Sequence, residues 1–336
     1  MSSGPNAASS LGKKFGTFGG VFTPCTLTIL GVIMFLRFGQ VVGQAGVITA
    51  VGIVLAAKLI TTLTSLSLAA ISTNTRVKGG GAYYLISRSL GVEFGGAIGI
   101  LFFLAQAISV AMYVIGFTEA VLGTYPSLDG RFLEVASIVN VAVFICVYIG
   151  AGWTIKLQYV ILAVLVGSLA SFYVGAIGEF DPSVLQANLS SHFSEGESVY
   201  SIFALFFPAV TGIMAGANMS GDLANPSKSI PRGTLSAILV TGLVYLSLAI
   251  LLGACRTHES LSENRLIVRD IALWPALITA GVFAATLSSA LGSMMGAPRI
   301  LQAFARDDVF QSLRFFGAGT DSGNEPRRGE RRYLRS

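Results

Sequence analysis

The sequence predicts an all-α polytopic membrane protein of about eight spanning helices. Three observations predict it. Hydrophobic residues make up 53% of the 336 and charged residues only 12%, whereas a soluble domain carries about 25% charge. The mean hydropathy is +0.72, and lipid is the solvent that tolerates so apolar a surface. The apolar residues are also gathered into runs long enough to cross a bilayer, which takes about 20 residues. The formal net charge is +5. Much of it lies after Pro326 and the rest between apolar runs, as membrane topology requires, so it gives no reason to expect nucleic acid.

The elements follow in order. Residues 1–20 are Gly/Ser-rich, with Lys13 and Lys14 as their only charges, and are expected to form a cytoplasmic tail. No short apolar segment with a cleavage site precedes the first long run, so the first helix is expected to direct insertion itself. The transmembrane core is expected over 21–297, with spans at 21–43, 45–72, 91–124, 133–150, 157–178, 200–223, 233–254 and 273–295. The third run is long enough to tilt or to extend beyond the bilayer. Residues 298–336 are expected to be a cytoplasmic segment with a truncated C-terminus.

Orientation follows from Lys and Arg in the connections. With the N-terminus inside, the inner segments hold Lys13, Lys14, Arg76, Lys78, Arg88, Lys156, Lys228, Arg232, Arg299, Arg306 and Arg314. The outer ones hold Arg131, Arg256, Arg265 and Arg269, and 179–199 has no Lys or Arg. Both termini are therefore expected in the cytoplasm, with the chain multi-pass in the plasma membrane. Asn188-Leu189-Ser190 on the outer stretch is a glycosylation sequon, a pattern common by chance. Gly79-Gly80-Gly81 lacks the Gly-Lys-Ser/Thr that would complete a phosphate loop, so a flexible inner connection is expected.

Cys25, Cys146 and Cys255 lie in or beside separate apolar runs, with neither metal spacing nor a disulfide framework. His192 and His258 stand apart in polar connections. No catalytic constellation, cofactor or metal site is expected, beyond transported alkali ions.

Two spans contain irregularities. The first reads TLTILGVIM (26–34) and the sixth PAVTGIMAG (208–216). Each places a Gly mid-membrane, and the sixth adds a Pro that cannot donate a backbone hydrogen bond. Spans one and six correspond if the fold is built of five-helix inverted repeats, and matched Gly/Pro interruptions point to a transporter binding site. A broken helix offers free N–H groups to anions and free C=O groups to cations without any formal charge. Gly in membrane helices also serves close packing.

At these residues the sequence resembles the cation–chloride cotransporter family, within the amino acid–polyamine–organocation superfamily. The matching stretches are GVIMFLRFGQVVGQAGV (31–47), VKGGGAYYLISRSLGVEFGGAIG (77–99), AMYVIGF (111–117), FFPAVTGIMAGANMSGDLANPSKSIPRGTL (206–235) and ATLSSALGSMMGAPRILQAFARD (285–307). The resemblance implies a LeuT-like inverted-repeat core and symport of chloride with sodium, with or without potassium. The paired serines place it near the sodium–potassium–chloride branch.

The resemblance also implies site residues. Potassium would take backbone of Thr28 and Ile29 with Tyr113, Pro208 and Thr211, although relatives that carry potassium often have Asn at position 28. Sodium would take backbone of Leu27 and Leu30 with Ala285, Ser288 and Ser289, unless the serines bond back to their own helix. Chloride would sit on free amides of Gly31, Val32 and Ile33, and of Gly212, Ile213 and Met214. Arg37 and Glu119 would pair as an outer gate, the alternative being that each snorkels separately. Lys58, midway along the second span, has no evident acidic partner; it would snorkel or face water. Asp222 would cap backbone or help to close the cytoplasmic side, capping being the stronger expectation.

Where the family enters a ninth span, this chain reads RRGERRYLRS, whose five Arg in ten residues cannot cross a bilayer. Spans nine and ten are therefore expected to be missing and the core incomplete. Expected partners are membrane lipid, inorganic sodium, potassium and chloride ions, and a second copy in a homodimer. Two other functions stay open: an amino acid or polyamine permease on the same fold, and a non-transporting membrane protein that regulates a full-length partner.

Overall fold

The computed structural model describes residues 14–74, 81–149, 151–307 and 311–318. Expectations placed on Lys13, Arg76, Lys78, Gly79, Gly80, the Lys156 side chain and the Arg-rich end after Pro326 lie outside the described residues. Among the described residues every regular element is helical, and the one β-type contact is an isolated bridge between Phe15 and Leu223.

Among the described residues, seven helices are long and apolar enough to span. The fourth expected span falls on α6 (Phe132–Ile149), whose 18 residues are at the short end of the spanning range of about 17–25. The chain is a multi-span membrane protein. Its exterior carries large apolar side chains such as Leu101, Ile108, Leu133 and Leu243 in the open, which in lipid costs nothing.

The first span is broken where the sequence indicated. A wide π-helical turn at Phe18–Phe22, with hydrogen bonds five residues apart, runs into α1 (Thr23–Ile29). Leu30 leaves helical geometry at φ −86°, ψ 47°, and Gly31 is extended before α2 (Val32–Leu36) begins. The chain continues into α3 (Phe38–Asn74), which turns sharply at Gly46 (φ 65°, ψ 165°). That turn separates the first span from the second. A Cβ at Gly46 would lie 2.1 Å from the carbonyl oxygen of Ser190, so both the backbone angle and the close approach require glycine.

A short helix, α4 (Gly81–Leu90), returns through Gly91 (φ 98°) into α5 (Val92–Thr124). Its 33 residues exceed the bilayer thickness, as its length in the sequence predicted. After α6, α7 (Ala151–Gly178) leads to α8 (Pro182–Ala187), which is capped by the Asp181 carboxylate accepting from Ser183 N–H at 2.8 Å. The sequon asparagine ends this segment. It is 2% exposed, and its amide donates to the carbonyls of Gly253 and Arg256 at 2.7 Å each. A glycan on that nitrogen is incompatible with the fold.

The sixth span differs from expectation. α9 (Val199–Phe206) passes into a 3₁₀ stretch, Phe207–Met214, then α10 (Ala215–Asn218). Pro208 has no N–H to give, so the α-helix ends before it. The chain is wound more tightly there rather than opened. α11 (Pro226–Cys255) starts on an Asn225 cap and packs along α3. Two short helices, α12 (His258–Glu263) and α13 (Ile267–Ile271), cover the same end as Arg37 before α14 (Pro275–Arg306) crosses beside α5 and α7.

Candidate functional site

The two irregular stretches lie against each other because position 212 is glycine. A Cβ there would fall 2.7 Å from the Thr28 side chain and 3.1 Å from Ile29 N, distances no larger residue could tolerate. A cavity of about 300 Å³ opens beside them. Its walls come from α1, α5, the 3₁₀ stretch and α14. Thr28, Tyr113, Thr211, Gly212, Ser288 and Ser289 are at the level of the break, and it runs on past Asn218 to Arg299.

The last turn of α1 leaves carbonyls with no intrahelical partner, and the first turn of α2 leaves amides in the same condition. Cation-attracting and anion-attracting backbone thus meet at Leu30-Gly31. On the facing helix, the Ser289 side chain is buried and its hydroxyl has no hydrogen-bond partner. The position a Cβ of Gly31 would occupy is 3.5 Å from Ser289 Oγ and 3.8 Å from the Leu27 carbonyl oxygen. A hydroxyl and a carbonyl therefore converge beside the break. An orphaned buried hydroxyl is costly in a folded protein unless a missing group completes it.

Of the residues read as a potassium set, Thr28, Tyr113 and Thr211 share the cavity wall. Ile29 and Pro208 do not: the Ile29 carbonyl accepts from the Tyr245 hydroxyl at 2.8 Å, and the Pro208 carbonyl accepts from Thr211 at 2.8 Å. The Thr28 hydroxyl donates back to Pro24. Of the sodium set, Ser288 and Ser289 face the cavity, while Leu27, Leu30 and Ala285 are buried behind it. The first chloride set, Gly31, Val32 and Ile33, is at the N-terminal turn of α2. The second, Gly212, Ile213 and Met214, lies inside the 3₁₀ stretch, and the Gly212 carbonyl accepts from Ala215 N–H. The amides expected to be free at that second position are part of a wound turn, because the tighter winding makes bonds three residues apart.

Ion pairs stand at both ends. Arg37 donates to Glu119 at 3.1 Å, joining the first span to α5. Arg265 reaches the other Glu119 oxygen at 3.6 Å, a contact the sequence gave no reason to expect because Arg265 lies in a loop. Below them, Phe38, Phe206 and Tyr245 pack ring against ring at 5.0–5.5 Å between centroids. At the cavity's other end Arg299 donates to Asp222 at 2.8 Å. Asp222 is thus an ion-pair acceptor, which corrects its reading as a backbone cap. Arg88 and Tyr83 both donate to Asp307 at that same end.

Lys58 neither snorkels nor faces water. It is 8% exposed and donates to Thr241 at 2.7 Å. The two histidines, distant in sequence, stack with centroids 4.1 Å apart. Among the described residues, no three His, Cys, Asp or Glu come together as a metal site.

Comparison with known proteins places this architecture. The family model for amino acid permeases matches residues 20–331. Solute carrier family 12 member 1 of Homo sapiens is 38% identical over 94% of this chain, and member 2 of Squalus acanthias is 39% identical over 94%. The matches take up 34% and 31% of those proteins, so the chain spans about a third of the length of these curated relatives. Among solved structures, a sodium-coupled sialic acid symporter in a substrate-bound, outward-open state aligns with a TM-score of 0.62, at 12% identity, over 91% of this chain and 70% of its own. The fold is thus shared with that symporter, and the relatives are solute carriers, not enzymes.

Proposed function

The chain belongs to the amino acid permease family, in its cation–chloride cotransporter branch, and on that premise we propose that it carries chloride together with sodium, and with potassium at a weaker site, by alternating access around the break in its first span. The observation that supports this best is the Ser289 hydroxyl, buried and unpartnered beside the Leu27 carbonyl at the break. A small hard cation prefers such oxygens. We assign sodium to Leu27, Leu30, Ala285, Ser288 and Ser289, and potassium to Thr28, Ile29, Tyr113, Pro208 and Thr211. Chloride takes the amides of Gly31, Val32 and Ile33. A second chloride on Gly212, Ile213 and Met214 requires the 3₁₀ stretch to unwind.

Both termini are assigned to the cytoplasm, with residues 1–20 as a tail, 21–297 as the core and 298–336 as an inner segment of a plasma-membrane protein. The Arg37–Glu119–Arg265 cluster then closes the outer side, and Arg299–Asp222 stands at the inner mouth of the cavity. No covalent step is needed. The working cycle would break one ion-pair cluster while the other forms.

Sodium binding to the purified chain tests the assignment. Sodium should raise the melting temperature in a saturable way, with chloride strengthening the effect. An equal response to choline would refute it. The permease alternative predicts stabilisation by amino acids or polyamines instead.

A further inference from the structure

Among the described residues, Lys58 is a basic side chain buried mid-span to which the transport reading gives no role. Its ammonium donates to Thr241 Oγ1 at 2.7 Å, and that hydroxyl in turn donates to the Ala237 carbonyl at 2.7 Å. The Nζ also stands 5.8 Å from the centroid of the Tyr245 ring. Tyr245 is fully buried, and its hydroxyl donates to the Ile29 carbonyl at 2.8 Å. No ion pair to Lys58 exists among the described residues. An ammonium buried without a counter-charge is expensive, and an apolar residue of similar volume would fill the space at no such cost. Ionisable groups kept under these conditions inside a membrane mark functional positions.

The charge connects to the break through one ring and one hydroxyl. A cation held at an aromatic ring is attracted by its quadrupole and fixes the ring's position. It also draws electron density from the phenol, which makes the Tyr245 hydroxyl a stronger donor to Ile29. That bond occupies the carbonyl at the end of α1 on which a transported cation would draw. The same positive charge repels a cation at the break and attracts an anion on the amides of Gly31 to Ile33. All three effects act in one direction.

We propose that Lys58 is a positioning residue for ion selectivity: acting through Tyr245, its ammonium withholds the Ile29 carbonyl from the larger cation and biases the break in the first span toward the anion. The proposal rests on the symporter reading. At separations on the order of 10 Å and an effective dielectric of about 20, the charge of the protonated Lys58 side chain changes ion affinity roughly tenfold.

The test uses the whole chain in proteoliposomes and, in parallel, ion-dependent melting of the purified protein. Rubidium stands in for potassium. Lys58→Met should lower the rubidium KM about tenfold and raise the chloride KM several-fold. Lys58→Arg, which keeps the charge, should restore both values. Tyr245→Phe should lower the rubidium KM while leaving the chloride KM near that of the parent. Unchanged rubidium and chloride constants in Lys58→Met, with the parent responding to ions, would overturn the role of Lys58 alone. A fall in melting temperature across Lys58→Met and Lys58→Arg, without a selectivity change, would also overturn it and assign the lysine to packing. If the parent itself shows neither uptake nor an ion-dependent melting shift, the symporter reading fails and this proposal falls with it.

Discussion

Replacing Ser289 by Ala separates a binding role from a structural one. Ser289 lies in the middle of α14, 1% exposed, and its hydroxyl makes no hydrogen bond to the protein. Removing it therefore breaks nothing in the fold. It relieves an unsatisfied buried polar atom, which by itself costs about 1–3 kcal/mol. Ser289→Ala should melt at the same temperature as the parent or slightly higher when sodium is absent. Its effect appears only when the cation is bound. A neutral oxygen facing a charge contributes about 1.5–3 kcal/mol, and about 1.4 kcal/mol is a factor of ten. The sodium KM for chloride uptake should rise between roughly 10-fold and 100-fold. Sodium-dependent uptake measured beside a sodium-free melt gives both numbers. A variant that melts several degrees lower with an unchanged sodium KM would refute the reasoning and make Ser289 a packing residue.

Other substitutions follow from the same geometry. Glu119→Gln removes the negative charge that pairs with Arg37 and Arg265, groups a quarter to two-thirds exposed, so the loss is about 1 kcal/mol. An impermeant maleimide added from the Arg37 side should then label a Ser109→Cys probe in the cavity roughly five times faster, by the population shift that energy allows; unchanged labelling would remove the cluster as a gate. Tyr113→Phe should raise the rubidium KM with little change for sodium, and an equal loss for every ion would indicate misfolding. Asn188→Ala leaves two carbonyls without a donor and should destabilise by about 1–3 kcal/mol, read as a lower melting temperature. In a glycosylating cell the parent should show no mass shift at Asn188, and a glycan there would contradict its burial.

The spans were legible because lipid imposes a simple rule on composition, and seven of the eight runs became helices that meet it. The break at Leu30-Gly31 was legible too, because a second interruption stood at the corresponding place in the sixth span; a glycine alone could equally have served close packing. The sixth span was half legible. Pro208 announced that the α-helix would stop, but proline states only what the chain cannot do, and the outcome was tighter winding. Partners far apart in sequence were harder to read. Arg37 and Glu119 were paired by resemblance alone. Arg265 joined them unforeseen, and Asp222 found Arg299 77 residues on, where local rules favoured a cap. Lys58 was misread because hydropathy sees a charge in a span without seeing the hydroxyl that holds it. The sequon at Asn188 shows the reverse error, a motif present in letters and closed off by packing.

The central claim is that sodium and chloride move together through the break in the first span. Radiolabelled sodium and chloride uptake, each measured in proteoliposomes with the other ion present and then replaced by an impermeant substitute, tests it most directly. The account predicts saturable uptake of each ion that collapses when its partner is withdrawn, and whose sodium KM rises between roughly 10-fold and 100-fold in Ser289→Ala. Uptake of either ion that is indifferent to the other would contradict it.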